Sequence, residues 1–173
     1  MTVLSDVEIA AYCRAGMVDP FDVKLVGPAS LDVRLGGHLM VEVQNNPELR
    51  LVNIADTCKE HPYLLEPGAF VLGETLEILC IPDDLAAQFV LKSSRAREGL
   101  EHLLAGFADP GFNNSVLTLE LQNARQFHPV PVWHGMKIGQ LVFYRMSTPP
   151  DMSYAVKGHY NGCRTVTASR GHM

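Results

Sequence analysis

Apolar and polar residues alternate along most of this chain. The clearest stretch is Ser30-Leu31-Asp32-Val33-Arg34-Leu35-Gly36. Leu31, Val33 and Leu35 fall on one side and Asp32 and Arg34 on the other, the two-residue period of a half-buried strand. The same reading predicts strands over 38–43, 70–75, 76–81, 86–91, 115–122 and 137–145. Turn residues punctuate them: Asn45-Asn46-Pro47, Glu66-Pro67-Gly68, Pro82-Asp83-Asp84, Asp109-Pro110-Gly111 and His134-Gly135. Only the N-terminus changes period. Ser5 and Glu8 have capping-box spacing, Ile9, Tyr12 and Cys13 share a face, and Gly16 stands where a helix would stop, which predicts a short helix over 5–15. Many short strands with no helices between them predict a mainly β fold, a sandwich, jelly roll or barrel, and exclude a doubly wound parallel sheet.

After Ser147 the alternation dissolves. Thr148-Pro149-Pro150-Asp151 reads as a linker, and the segment beyond it carries Tyr160, Arg164 and Arg170 but little to pack. The expected organisation is one domain over 1–147 and a tail over 148–173 that is disordered or orders over a ligand. A length of 173 residues suits one domain with a real core. Hydrophobic residues make up 47% and charged residues 19%, an ordinary globular composition, and the net charge of −5 argues against a broad nucleic-acid-binding face. Asp6 and Glu8 interrupt any signal-like run, and no apolar stretch approaches the length of a membrane span. Cys13, Cys58, Cys80 and Cys163 lack the short spacing of a zinc ribbon or redox pair. The expectation is a cytoplasmic protein with reduced thiols and neither a membrane nor a nucleic-acid partner.

Against that acidic background one segment stands out. Lys92-Ser93-Ser94-Arg95-Ala96-Arg97-Glu98-Gly99 follows a strand-like run and packs hydroxyls and cations together. Hydroxyls and turn N–H groups can cradle phosphate oxygens while ammonium and guanidinium groups neutralise them; such basic, serine-rich turns are also common as plain solvated surface. No G-x-x-x-x-G-K-[ST] and no strand-linked G-x-G-x-x-G occurs, so neither a P-loop nor a dinucleotide fold is indicated. Three further segments hold candidate chemistry. One is the glycine-rich turn Ala105-Gly106-Phe107-Ala108-Asp109-Pro110-Gly111-Phe112. In Leu117-Thr118-Leu119-Glu120-Leu121-Gln122-Asn123 the leucines share one face and Glu120 lies on the other. The last is Gly135-Met136-Lys137-Ile138-Gly139-Gln140-Leu141.

Taken in order with the strand at Ser30 and the terminal Tyr160-Asn161-Gly162-Cys163-Arg164 and Ser169-Arg170, these motifs resemble the dCTP deaminase family of the dUTPase-like superfamily, from Leu4 to Arg170. The resemblance implies a distorted jelly-roll-like β-barrel assembled as a homotrimer. Active sites would lie between subunits, and Mg2+ would accompany the nucleotide triphosphate. Among residues it implies Glu120 as the catalytic glutamate and Ala105 beside the nucleobase and water. Ser93, Ser94 and Arg97, next to Lys92, would hold phosphates and help order the catalytic water. Asp109 would contact the deoxyribose hydroxyl and Gln140 would lie near the phosphates. Tyr160, Arg164 and Arg170 would belong to the closing tail.

The implied reaction is hydrolytic deamination of dCTP to dUTP and ammonia. One carboxylate can serve it, taking a proton from water and returning it to the leaving amine. The H-x-E and P-C-x-x-C signature of zinc deaminases is missing from the sequence, so water would be polarised by hydroxyls, backbone and arginine. Four features depart from the family pattern. Lys92 stands for an arginine, His159 for a lysine, and Cys163 for a substrate-contacting glutamine. The interval from Arg97 to Asp109 is also one residue shorter and that from Asp109 to Glu120 one longer than in the family. The competing expectations are hydrolysis of dUTP between its α and β phosphates, both reactions in one enzyme, and a nucleotide-binding regulator without catalysis.

Overall fold

The structure is a computed structural model that describes residues 2–171. In chain order its elements are β1 (Thr2–Val3), α1 (Asp6–Tyr12), β2 (Val18–Asp19), β3 (Val26–Gly27), β4 (Ser30–Arg34), β5 (His38–Val43) and β6 (Asn46–Asn53). There follow β7 (Tyr63–Leu65), β8 (Phe70–Leu79), β9 (Leu85–Leu91), α2 (Ser93–Arg97), β10 (Leu100–His102) and β11 (Phe107–Ala108). The last are β12 (Ser115–Asn123), β13 (Val130–Val132), β14 (Lys137–Arg145) and α3 (Tyr154–Lys157). One sheet runs β11-β9-β14-β4-β3 with β1 on β14, a second runs β10-β12-β8-β5-β6 with β2 on β8, and β13 pairs with β7. The fold is mainly β, as expected. Both six-stranded sheets are open along these paths, so no closed barrel forms among the described residues.

The alternating apolar positions build the core between the sheets. Leu31, Val33 and Leu35 from one sheet meet Leu119 and Leu121 from the other in a single buried cluster. Burying each such leucine contributes about 1.5–3 kcal/mol. Glu77 of β8 is buried against β4, where Arg34 donates to it through Nε at 2.7 Å and through its backbone N–H at 2.8 Å. Burial pushes the Glu77 carboxyl up, and the Arg34 bonds oppose that. The N-terminal helix forms where predicted: the Ser5 N–H and hydroxyl donate to the Glu8 carboxylate at 3.1 and 3.2 Å. Gly16 at φ +100° turns the chain out of it. No helix among the described residues is long and apolar enough to cross a membrane.

Two sequence expectations change. The strands predicted at 70–75 and 76–81 are one ten-residue strand, β8, because no turn residue separates Thr75 from Leu76. The turn at Asn45 forms with φ +65°, but a strand the sequence pattern did not show, β6, follows at once. It is the sheet edge, where polar Asn46, Glu48 and Arg50 stay exposed and Pro47 is tolerated. The described part of the tail lies against its own chain. The Tyr154 N–H donates to the Pro110 carbonyl at 2.8 Å, the Val116 N–H donates to the Cys163 carbonyl at 2.9 Å, and Val166 is buried.

Candidate active site

Strand β12 delivers Glu120 by its period. Leu117, Leu119 and Leu121 are buried, while Thr118, Glu120 and Gln122 are half-buried on the opposite face. Glu120 opens into a cavity of about 580 Å³ whose wall includes Ala105, Thr118, Tyr160, Cys163 and Thr167. Three of the sequence candidates, Glu120, Ala105 and Tyr160, therefore meet in one place. Much of the remaining wall is apolar, from Leu72, Phe112, Val116 and Leu117. A mostly apolar wall with a few convergent polar groups suits a flat heteroaromatic ring.

Beside Glu120 lies a residue the sequence reading missed. His102 of β10 is buried, with Nε2 3.5 Å from Glu120 Oε2. At that separation the two are in electrostatic contact without a strong direct hydrogen bond. Both atoms are buried and have no hydrogen-bond partner among the described residues. The imidazole is held by Phe89, ring centroids 4.7 Å apart. Gly106 fits against both: a Cβ there would meet Phe89 Cβ at 2.6 Å and His102 Cε1 at 3.1 Å. The signal in the sequence was a histidine three positions before Ala105, just ahead of the glycine-rich turn.

The basic segment is a one-turn helix, α2, rather than a plain turn, and it lies elsewhere on the protomer. Ser93, Ser94 and Arg97 do not share the Glu120 cavity; Ser93, on the first turn of α2, is exposed. Lys92 is committed to Asp32: its Nζ donates at 2.6 Å, and Lys137 donates to the other carboxylate oxygen at 3.1 Å. Gln140 of β14 accepts from the Ser30 hydroxyl at 3.3 Å. Asp109 is exposed after β11. Arg164 donates to the Asn114 side chain, and Arg170 donates to the His159 carbonyl and lies over the Tyr160 ring, 5.4 Å from its centroid. Among the described residues, Lys92, Ser93, Ser94, Arg97, Asp109, Gln140, Arg164 and Arg170 do not line the Glu120 cavity. Cys163 does, and its sulfur accepts from Arg170 Nη2 at 3.2 Å.

A family model described as dCTP deaminase-like matches residues 3–146. The chain belongs to this family. Among curated proteins similar to it, one from Clavibacter michiganensis is 41% identical, with 99% of this chain and 91% of the relative covered. One from Beutenbergia cavernae is 43% identical, covering 99% and 95%. Both bear the name dCTP deaminase, dUMP-forming. The crystal structure of 2'-deoxycytidine 5'-triphosphate deaminase from Agrobacterium tumefaciens superposes with a TM-score of 0.65 at 24% identity, over 83% of this chain and 48% of that one. The chain thus spans about half of that structure, and this likeness speaks for the fold. Family membership makes the chain one of the dCTP deaminase-like proteins, and the cavity holding Glu120 is its candidate active site.

Proposed function

We propose that this enzyme removes the 4-amino group of dCTP in the Glu120 cavity. Membership of the dCTP deaminase-like family over most of the chain supports the reaction. One observation carries the location: a glutamate that lines a mostly apolar cavity has one oxygen buried and unpartnered among the described residues, with a buried, unpartnered histidine nitrogen 3.5 Å behind it. Water attacks C4 as Glu120 takes its proton. The C4–O bond forms, the same proton passes to the amine, the C4–N bond breaks and ammonia leaves. His102 packs beside Glu120, with Nε2 3.5 Å from its Oε2. Ala105 and the apolar wall flank the base, and burial of the cavity strengthens each polar interaction inside it.

Under this reading Ser93, Ser94 and Arg97 hold the triphosphate, with Lys92 beside them, Gln140 near the phosphates, and Asp109 on the deoxyribose hydroxyl. The α2 residues and the Glu120 cavity do not meet on one protomer, which supports a homotrimer whose sites form between subunits. Residues 1–147 then form the catalytic domain. Residues 148–173 form the lid, with Tyr160, Arg164 and Arg170 in it; His172 and Met173 lie outside the described residues. Two antiparallel sheets around one core support the family's jelly-roll arrangement. Mg2+ enters as part of the substrate, on the triphosphate. An intracellular nucleotide as substrate supports a cytoplasmic location.

A second reading is favoured by the relatives' names. Dual hydrolysis would release ammonia from dCTP and then pyrophosphate from the resulting dUTP, leaving dUMP, with a second water attacking phosphorus on the metal-bound triphosphate. Separate assays of ammonia and pyrophosphate on a panel of Mg2+-nucleotides decide. Ammonia and pyrophosphate in equal amounts from dCTP establish the dual reaction, and ammonia alone establishes a dUTP-forming enzyme. Pyrophosphate from dUTP with no ammonia from dCTP, or binding with no turnover, overturns the deaminase reading.

A further inference from the structure

Glu74 has no place in the site described above, yet it is a buried carboxylate on β8, 5% exposed. Such a group persists only where donors surround it. Its Oε1 pairs with His38 Nδ1 at 2.9 Å. Its Oε2 accepts from the Thr165 hydroxyl at 3.0 Å and from the Val166 N–H. Two of these three donors belong to the tail. The carboxylate arm lies across Gly36, where a Cβ would meet Glu74 Cγ at 2.4 Å, so the glycine makes the space it occupies.

The position of this anchor matters more than its strength. Glu74 is the cross-strand partner of Thr118, two residues before Glu120. Tyr160 and Cys163 line the Glu120 cavity on one side of the anchored pair, and Thr167 and Ser169 on the other. Among the described residues, the hydrogen bonds that tie 165–169 to the body run to Glu74 and, at 3.4 Å, from the Thr167 N–H to the Thr118 hydroxyl. The stronger acceptor is the carboxylate, because a charged acceptor holds an N–H about twice as well as a neutral one.

We propose that Glu74 is the positioning residue of the last part of the tail: its carboxylate pins Thr165 and Val166 and so fixes 165–169, which brings Thr167 and Ser169 to the wall of the Glu120 cavity. The 160–164 stretch is tied separately, by the Val116 N–H on the Cys163 carbonyl and the Ser115 hydroxyl on the Tyr160 carbonyl. Its effect on dCTP rests on the nucleotide reading above; its effect on the tail does not. Glu74 touches no reacting atom. It acts through the backbone it holds.

The test begins with hydrogen exchange of the nucleotide-free full-length protein. Glu74→Met keeps the length and packing of the arm and removes both acceptors. Exchange across 165–169 rises roughly tenfold to a hundredfold, the worth of hydrogen bonds to a charged group, while 160–164, β8 and β12 keep their protection. Glu74→Gln, which retains one acceptor oxygen, falls between wild type and Glu74→Met. Val166→Pro removes the donor from the other side; it loosens the same segment, adds little to Glu74→Met, and serves as the second variant should the methionine protein not fold. With dCTP, Glu74→Met raises KM more than it lowers kcat. Unchanged tail exchange in the variants, or exchange that rises equally throughout the body, overturns the proposal. A wild-type protein that binds no dCTP overturns the nucleotide reading and leaves the exchange result to judge Glu74 alone.

Discussion

Glu120 illustrates how much one side chain owes to its strand. The alternation of β12 buries three leucines and leaves the glutamate half-buried, with one oxygen sealed from water beside His102. A carboxylate in that setting can accept a proton from a neighbouring water and release it again, which is what a single-group deaminase needs. Glu120→Gln keeps the size and loses the base. The expected outcome in an ammonia-release assay is a fall in kcat of ~10²–10⁴-fold, with the melting temperature and nucleotide affinity preserved. Activity within about tenfold of wild type would remove Glu120 from the proton-transfer role. The alternating leucines make the face of this residue legible in the sequence, while its catalytic role comes only from the family resemblance. His102 is not legible there, because its meaning comes from β10 pairing with β12, a contact between strands that no local pattern encodes. The partner of Lys92 is likewise not legible: Asp32, far upstream in the chain, accepts from its Nζ.

At the level of elements, the periodic segments were readable and the irregular ones were not. Strands β4, β5, β9, β12 and β14 form where the alternation placed them, since each buries one face. Edge strand β6 alternates only over Glu48-Leu49-Arg50-Leu51, opens on Asn46-Pro47 and leaves most of its residues exposed, so its period is too short to stand out. The first helix was legible through its cap and apolar face, and its docking has a measurable consequence. Cys13 follows α1 and is buried in the core cluster, which pushes its thiol up from 9.0 to about 12. The folded protein thus keeps this proton to higher pH than the unfolded chain does. The contribution is complete below about pH 9 and is lost as pH rises towards 12, where the unfolded chain ionises first. Urea midpoints for wild type should fall between about pH 8 and about pH 10.5, and more steeply than for Cys13→Ala, whose slope lacks this term. Equal slopes for the two proteins would show that the thiol is not shielded.

For the whole molecule the decisive fact is a separation. The Glu120 cavity is bounded by β12, the Ala105 turn and the tail, while Ser93, Ser94 and Arg97 sit on α2 outside it. A sequence places its motifs in a line and cannot say which of them share a protomer's site, so the six motifs were legible but their partition was not. Under the trimer proposed above, closed cyclic symmetry would resolve the separation: each copy would give its α2 to the neighbour's cavity, and three copies would close the ring. This makes a prediction that the fold of one chain cannot satisfy. Glu120→Gln and Arg97→Ala should each be inactive alone. Co-expressed in equal amounts, they should assemble at random so that mixed trimers have about one intact site in three and about a quarter of all sites pair an intact Glu120 from one subunit with an intact Arg97 from another. Ammonia release from dCTP should then return to about that fraction of wild type, with sedimentation confirming the mixed assembly. If each protomer instead built its site alone, every site in the mixture would lack one group or the other. A co-assembled but inactive mixture would therefore place α2 and Glu120 of one chain in the same site and refute the shared architecture.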